Sequence, residues 1–178
     1  MKKMIVFSLI GLLIVGGGVM WYAQGELMPS NGNEVETAKN SHGAQGAVSG
    51  AVTEEDLETF EEEGKNPFGE TIPADKLSED NVKDYIHGMS HQKVKAKKKW
   101  YFYEMHPERI TWLLESLDQV ELKHEDVYKR ILQKWQAGNF DTVDDDHNAI
   151  WNLNNGTVGK ATGILSPEEE KKFVEKNK

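Results

Sequence analysis

His87 and His91 lie four residues apart, and His147 stands far downstream. Imidazoles at i and i+4 share one face of a helix, a spacing that suits zinc. The residue after His87 is Gly88, so the glutamate base of the HExxH hydrolases is missing. His87, His91 and His147 are therefore the candidate ligands of a zinc-binding protein or zinc-dependent hydrolase. The plainer alternative puts His87 on a helix surface and His91 at a helix end, with His147 in the core beside Ile150 and Trp151. Asp144, Asp145 and Asp146 precede His147 and could pair with it for acid–base chemistry. Three acids at a helix start are also explained by the helix dipole alone.

Residues 156–163 read Gly-Thr-Val-Gly-Lys-Ala-Thr-Gly. A Walker phosphate loop needs a longer first spacing and Ser or Thr directly after the lysine, and Ala161 follows Lys160. ATP binding is not expected on that ground. The backbone NH groups of such a loop could still receive an anion or a peptide carboxylate, or its glycines could simply supply positive φ in a tight connection. Together with the helix before it, Asp146, His147, Trp151, Asn152, Gly159, Lys160 and Thr162 make a polar and aromatic cluster. This is the expected binding surface of an interaction module with no catalysis of its own and no cofactor. Lys93, Lys95, Lys97, Lys98 and Lys99 lead into Trp100-Tyr101-Phe102-Tyr103, a strip that could bind an anionic cell-envelope polymer. The ordinary reading is a solvated charged loop running into core aromatics.

The elements that must position these residues are helical. Thr53 is placed to cap a short acidic helix over 54–63. Ser78 caps a second helix, with Leu77 and Val82 as its hydrophobic staple and Val82, Tyr85, Ile86 and Met89 on its apolar face; Gly88 weakens its end. Pro107 opens a third, with Ile110, Leu113, Leu114, Leu117 and Val120 inward. A fourth runs over 125–137 and stops at Gly138. A fifth begins near Asp141 or Thr142, carries Val143, His147, Ile150 and Trp151 on one face, and ends at Gly156. Ser166-Pro167-Glu168-Glu169 opens a last helix through a capping box. Residues 100–103 suit a short extended piece. The expectation is an all-α domain over 73–178 with four to five helices.

The first 23 residues locate the protein. Lys2 and Lys3 precede an uncharged apolar run, 4–23, that ends near Trp21 and Tyr22. About 20 residues at ~1.5 Å each match a bilayer core of ~30 Å, with lysines on the cytoplasmic side and aromatics at the interface. Residues 1–23 are read as a transmembrane anchor, or as a signal peptide if cleaved. The domain then lies outside the cytoplasm on a single-pass anchor, or is secreted. Residues 24–72 are read as an acidic, mostly disordered tether, because they carry few large apolar groups. From 24 to 92 there are 15 acidic and 4 basic residues, and from 93 to 178 there are 15 of each. The net charge of −9 argues against a nucleic-acid partner. With no cysteine among 178 residues, disulfides and thiolate metal sites are excluded. Expected partners are the membrane and an envelope protein or peptide, and no small-molecule substrate is indicated.

Several strings occur together: His91-Gln92-Lys93-Val94, Pro107-Glu108-Arg109-Ile110, Asp146-His147-Asn148, Ile150-Trp151-Asn152-Leu153 and Gly159-Lys160-Ala161-Thr162-Gly163. Over residues 78–177 the chain resembles an uncharacterised domain family of small membrane-anchored proteins from spore-forming Gram-positive bacteria. The resemblance implies an envelope location and a small helical domain. It brings no activity, cofactor or site residue with it. His106 stands before Pro107, where the family's pattern would place Thr as the helix cap.

Overall fold

The structure, a computed structural model, describes residues 47–178. The expected anchor, and the tether up to residue 46, lie outside the described residues. Six α-helices and two short strands make up the described part, so it is mostly helical. They are α1 (Glu54–Glu62), α2 (Glu79–Ser90), β1 (Val94–Ala96), α3 (Pro107–Leu117), α4 (Glu125–Gln136), α5 (Val143–Leu153), β2 (Ala161–Ile164) and α6 (Pro167–Lys176).

The helix starts follow local chemistry. Thr53, Ser78 and Ser166 each accept from the backbone three residues on, while Asp56, Asn81 and Glu169 reach back in turn. These capping boxes satisfy amides that the helix itself leaves unpaired. At α3 the cap is His106: its Nδ1 accepts from the Glu108 amide at 3.3 Å, so imidazole does here what a Thr hydroxyl would do. Leu77 and Val82 are both buried at the start of α2, as a staple requires.

Helices α2 and α5 pack together, as do α3 and α4. Their buried faces join one core that includes Val82, Tyr85, Ile86, Leu113, Ile131, Trp135 and Ile150. Asp146 belongs to this packing. It accepts from Trp135 Nε1 at 2.9 Å and pairs with Lys134 at 2.6 Å, and it is 2 % exposed. It ties α5 to α4 rather than facing a partner.

Two features go beyond the expected helices. The described part is mostly helical rather than purely so, because β1 and β2 pair antiparallel, Val94 opposite Ile164 and Ala96 opposite Ala161. The lysine strip and the end of the glycine-rich segment are thus the two halves of one ribbon, which lies on α5. The domain also begins before Pro73. The Val48 amide donates to the Phe68 carbonyl at 2.8 Å, Gly50 pairs with Phe102 and Glu104, and Phe68 stacks on Tyr85 at 3.8 Å. Asn66 accepts from the amides of Phe68 and Glu70, which forms the turn that sends Phe68 inward. Arg109, fully buried, lies over the Phe68 ring and donates to the carbonyls of Pro67 and Glu104. A few well-placed anchors order this segment despite its low apolar content.

Candidate metal centre

Helix α2 carries His87 in its last turn, and His91 follows as its C-cap. Packing α2 against α5 brings His147 between them. His87 is 8 % exposed, His91 1 % and His147 0 %. The ring centroids lie 4.7 Å apart for His87 and His91, 4.4 Å for His87 and His147, and 5.4 Å for His91 and His147. One nitrogen from each ring falls within 4.8 Å of the others. The three candidate ligands therefore meet in space.

Each imidazole is held from behind. His91 Nδ1 donates to the Tyr101 carbonyl at 2.6 Å. His87 Nδ1 lies 3.3 Å from the Tyr101 hydroxyl, which donates onward to Asp84. Burial pushes the Tyr101 phenol up and keeps it protonated. His147 Nδ1 lies 2.8 Å from Ser90 Oγ, and Ser90 donates to the His87 carbonyl at 2.6 Å. In the proton pattern where each Nδ1 gives its proton to these partners, each Nε2 keeps its lone pair, and one nitrogen of each ring lies in the shared space. Acceptors behind Nδ1 fix the tautomer and the ring plane in this way at metal-binding histidines.

Electrostatics keep two of the rings uncharged. Burial is the largest cause that pulls His91 down to about 3, with the His147 and Lys99 charges adding to it. Burial also pulls His147 down to about 4, helped by Lys99 and opposed by the Gly159 carbonyl. Both rings are neutral at pH 7 and able to donate a lone pair. Zinc–imidazole bonds of about 2.0–2.1 Å place two tetrahedral ligands about 3.3–3.4 Å apart. His87 Nε2 and His147 Nε2 are 3.4 Å apart. The Gly159 carbonyl oxygen lies 3.1 Å from His147 Nε2. Ser90 has one hydroxyl proton and two acceptors, so a second proton pattern exists. In it Ser90 donates to His147 Nδ1, and His147 Nε2–H donates to Gly159.

The other singled-out residues are divided by the fold. Asp146 and His147 are interior. Trp151 is half-buried and donates to the Val158 carbonyl at 2.9 Å, with Lys160 6.0 Å above its ring. Asn152, Lys160 and Thr162 are exposed, and Thr162 donates to the Lys95 carbonyl. Gly159 has φ 89°, and a Cβ there would sit 2.8 Å from the Lys98 carbonyl. In the lysine strip, Lys93 pairs with Glu170, Lys95 pairs with Glu169, and Lys99 lies over the Phe173 ring. Lys97 and Lys98 are exposed. Helix α6 thus engages three of the five lysines. Ser90, Tyr101 and Asp84 were missed in the sequence. Ser90 lies between the two helical histidines, and that position was its only available signal.

The fold and the cluster define a small, mostly helical domain with three buried imidazoles converging between two helices. The chain belongs to a family of unknown function, DUF6241, whose match covers residues 86–175, about half of its length. The matched stretch contains all three histidines together with Ser90, Tyr101 and Gly159. No curated protein and no solved structure matches the chain.

Proposed function

We propose that this chain is a non-catalytic binding module organised around a zinc ion held by His87, His91 and His147. The observation that carries the reading is the convergence of three imidazoles whose Nδ1 atoms all face outer acceptors. Neutral lone pairs crowded in a buried space repel one another, and a cation between them removes that repulsion. The group holds imidazoles and no carboxylate among the described residues. A metal-bound water there would lack a side-chain base, which favours binding over hydrolysis. Zinc would also fasten α2 to α5 and so set the position of Trp151, Asn152, Lys160 and Thr162 for an envelope partner.

The location belongs to the same proposal. Lys2, Lys3 and the apolar run 4–23 support a single-pass anchor with the domain outside the cytoplasm, and the resemblance to envelope proteins of spore-forming Gram-positive bacteria agrees. Among the described residues no helix is long and apolar enough to cross a membrane.

Metal analysis of the full chain, purified without a histidine tag, tests the centre. The expected result is one zinc per chain, lost in His87→Gln and in His147→Gln. Added zinc should raise the melting temperature of the stripped protein. At a hundredfold excess over Kd, binding contributes about 2.7 kcal/mol. A folded protein that takes up neither zinc nor cobalt, and whose melting point ignores both, overturns the reading.

A further inference from the structure

The three-histidine centre leaves a charge problem that its own residues do not solve. Three neutral imidazoles add no negative charge to a divalent cation. The Lys99 ammonium lies close enough to act on both His91 and His147. A bound zinc would therefore carry its full double charge, with a third positive charge nearby, in a site that is almost wholly buried. Isolated charge in such surroundings is costly, and a counter-ion in the fourth position relieves it.

One cavity touches the cluster, at His87. His87, the most exposed of the three, forms part of the wall of a cavity of about 60 Å³. Trp100, Trp151, Asn155, Gly156 and Val158 complete most of that wall. Trp100 is 58 % exposed and Val158 45 %, so two of the large apolar side chains that the domain shows to solvent stand at this one mouth. One water needs ~10–15 Å³ of such space, so the cavity has room for a ligand of a few heavy atoms. The mouth is built rather than accidental. Asn155 holds φ 52°, and a Cβ on Gly156 would come 2.3 Å from the Trp151 ring. The loop thus lies close against the Trp151 indole, beside the cavity that His87 lines.

We infer that the metal centre keeps a fourth position open toward this cavity and that a small monoanion, of the size of acetate or bicarbonate, binds there. The inference rests on the metal-binding reading above. The anion would take the place of a metal-bound water, with one oxygen on the metal and its body between Trp100 and Trp151. Its competitor for the position is the Gly159 carbonyl, already 3.1 Å from His147 Nε2.

The experiment uses the full chain loaded with cobalt(II), whose visible bands report coordination number and ligand type. Azide and acetate are titrated separately, and benzoate serves as the oversized carboxylate. The expected result is a saturable band shift with azide and acetate, and at least tenfold weaker binding of benzoate. Trp100→Ala, at an exposed position, should narrow the gap between acetate and benzoate. Lys99→Gln should weaken both small anions and flatten their salt dependence. If cobalt is bound and its bands ignore azide and acetate, the fourth position is closed by the protein and the inference fails while the metal centre stands. If acetate and benzoate bind equally well, the cavity is not the route and the inference fails in that respect. If no cobalt is taken up, the metal centre itself is overturned.

Discussion

Ser90 shows how much of the site depends on a side chain that is no ligand. Its hydroxyl lies 2.8 Å from His147 Nδ1 and 2.6 Å from the His87 carbonyl, so one oxygen orients His147 and braces the end of α2. Ser90→Ala removes only the hydroxyl oxygen from a tightly packed place and leaves the His147 Nδ1–H without its acceptor. The expected outcome is a zinc affinity 10–100-fold weaker, the usual effect of losing an outer hydrogen bond to a ligand, in a domain with an unchanged far-ultraviolet spectrum. Competition titration against a zinc indicator measures it. An unchanged affinity would mean that Ser90 serves only the helix end. At this scale the sequence was half legible. The i, i+4 spacing put His87 and His91 on one face, because helical geometry is local. Whether His147 joined them depended on how two distant helices pack, and no pattern in the chain encodes that. Asp146 misled for a related reason. An acid in a first turn satisfies the dipole equally well when exposed or buried, and only the packing of Trp135 and Lys134 against it decides.

Among the elements, α2 was expected to weaken at Gly88, and it continues to Ser90. The glycine is there for approach. A Cβ at this position would lie 2.4 Å from the Tyr103 ring and 2.9 Å from the Tyr101 ring. Gly88→Ala should therefore lower stability by about 1–3 kcal/mol through overpacking, although alanine is the better helix former by ~1 kcal/mol. Urea denaturation tests the sign, and a stabilised variant would show that the aromatics can yield. The same change should loosen Tyr101, whose carbonyl holds His91. The capped helices were readable because Ser, Thr, Pro and acid at fixed offsets act within one turn. The β1–β2 ribbon was not. Lysine alternation in one strand and glycines in the other hid the pairing, which joins residues far apart in the chain.

The molecule as a whole should answer to pH through its histidines. In the metal-free protein His91 and His147 sit at about 3 and 4, against about 6.5 in an unfolded chain. The unfolded state then binds more protons below pH 6.5, so stability is full above that value and falls as pH drops toward the folded values. Two such groups give a slope of up to about 2.7 kcal/mol per pH unit. Buried Glu70, whose carboxyl is pushed up by burial, works in the opposite direction. Urea midpoints of stripped protein between pH 7.5 and 5 should therefore decline, and a flat profile would mean that the rings titrate in place. The extent of the domain was legible at its C-terminal side, where apolar periodicity is dense. It was underestimated at residues 47–72, because one aromatic seated by a turn and a buried arginine outweighs what average composition suggests. The same segment bears on how the domain takes load. The Ala51 amide donates to the Asn177 carbonyl at 3.3 Å, so the chain enters and leaves the folded body side by side. A pull between the preceding chain and anything gripping the C-terminus would load this contact together with the Val48–Phe68 bond. It would peel the end of α6, which buries no residue of its own, before the force reached the three imidazoles.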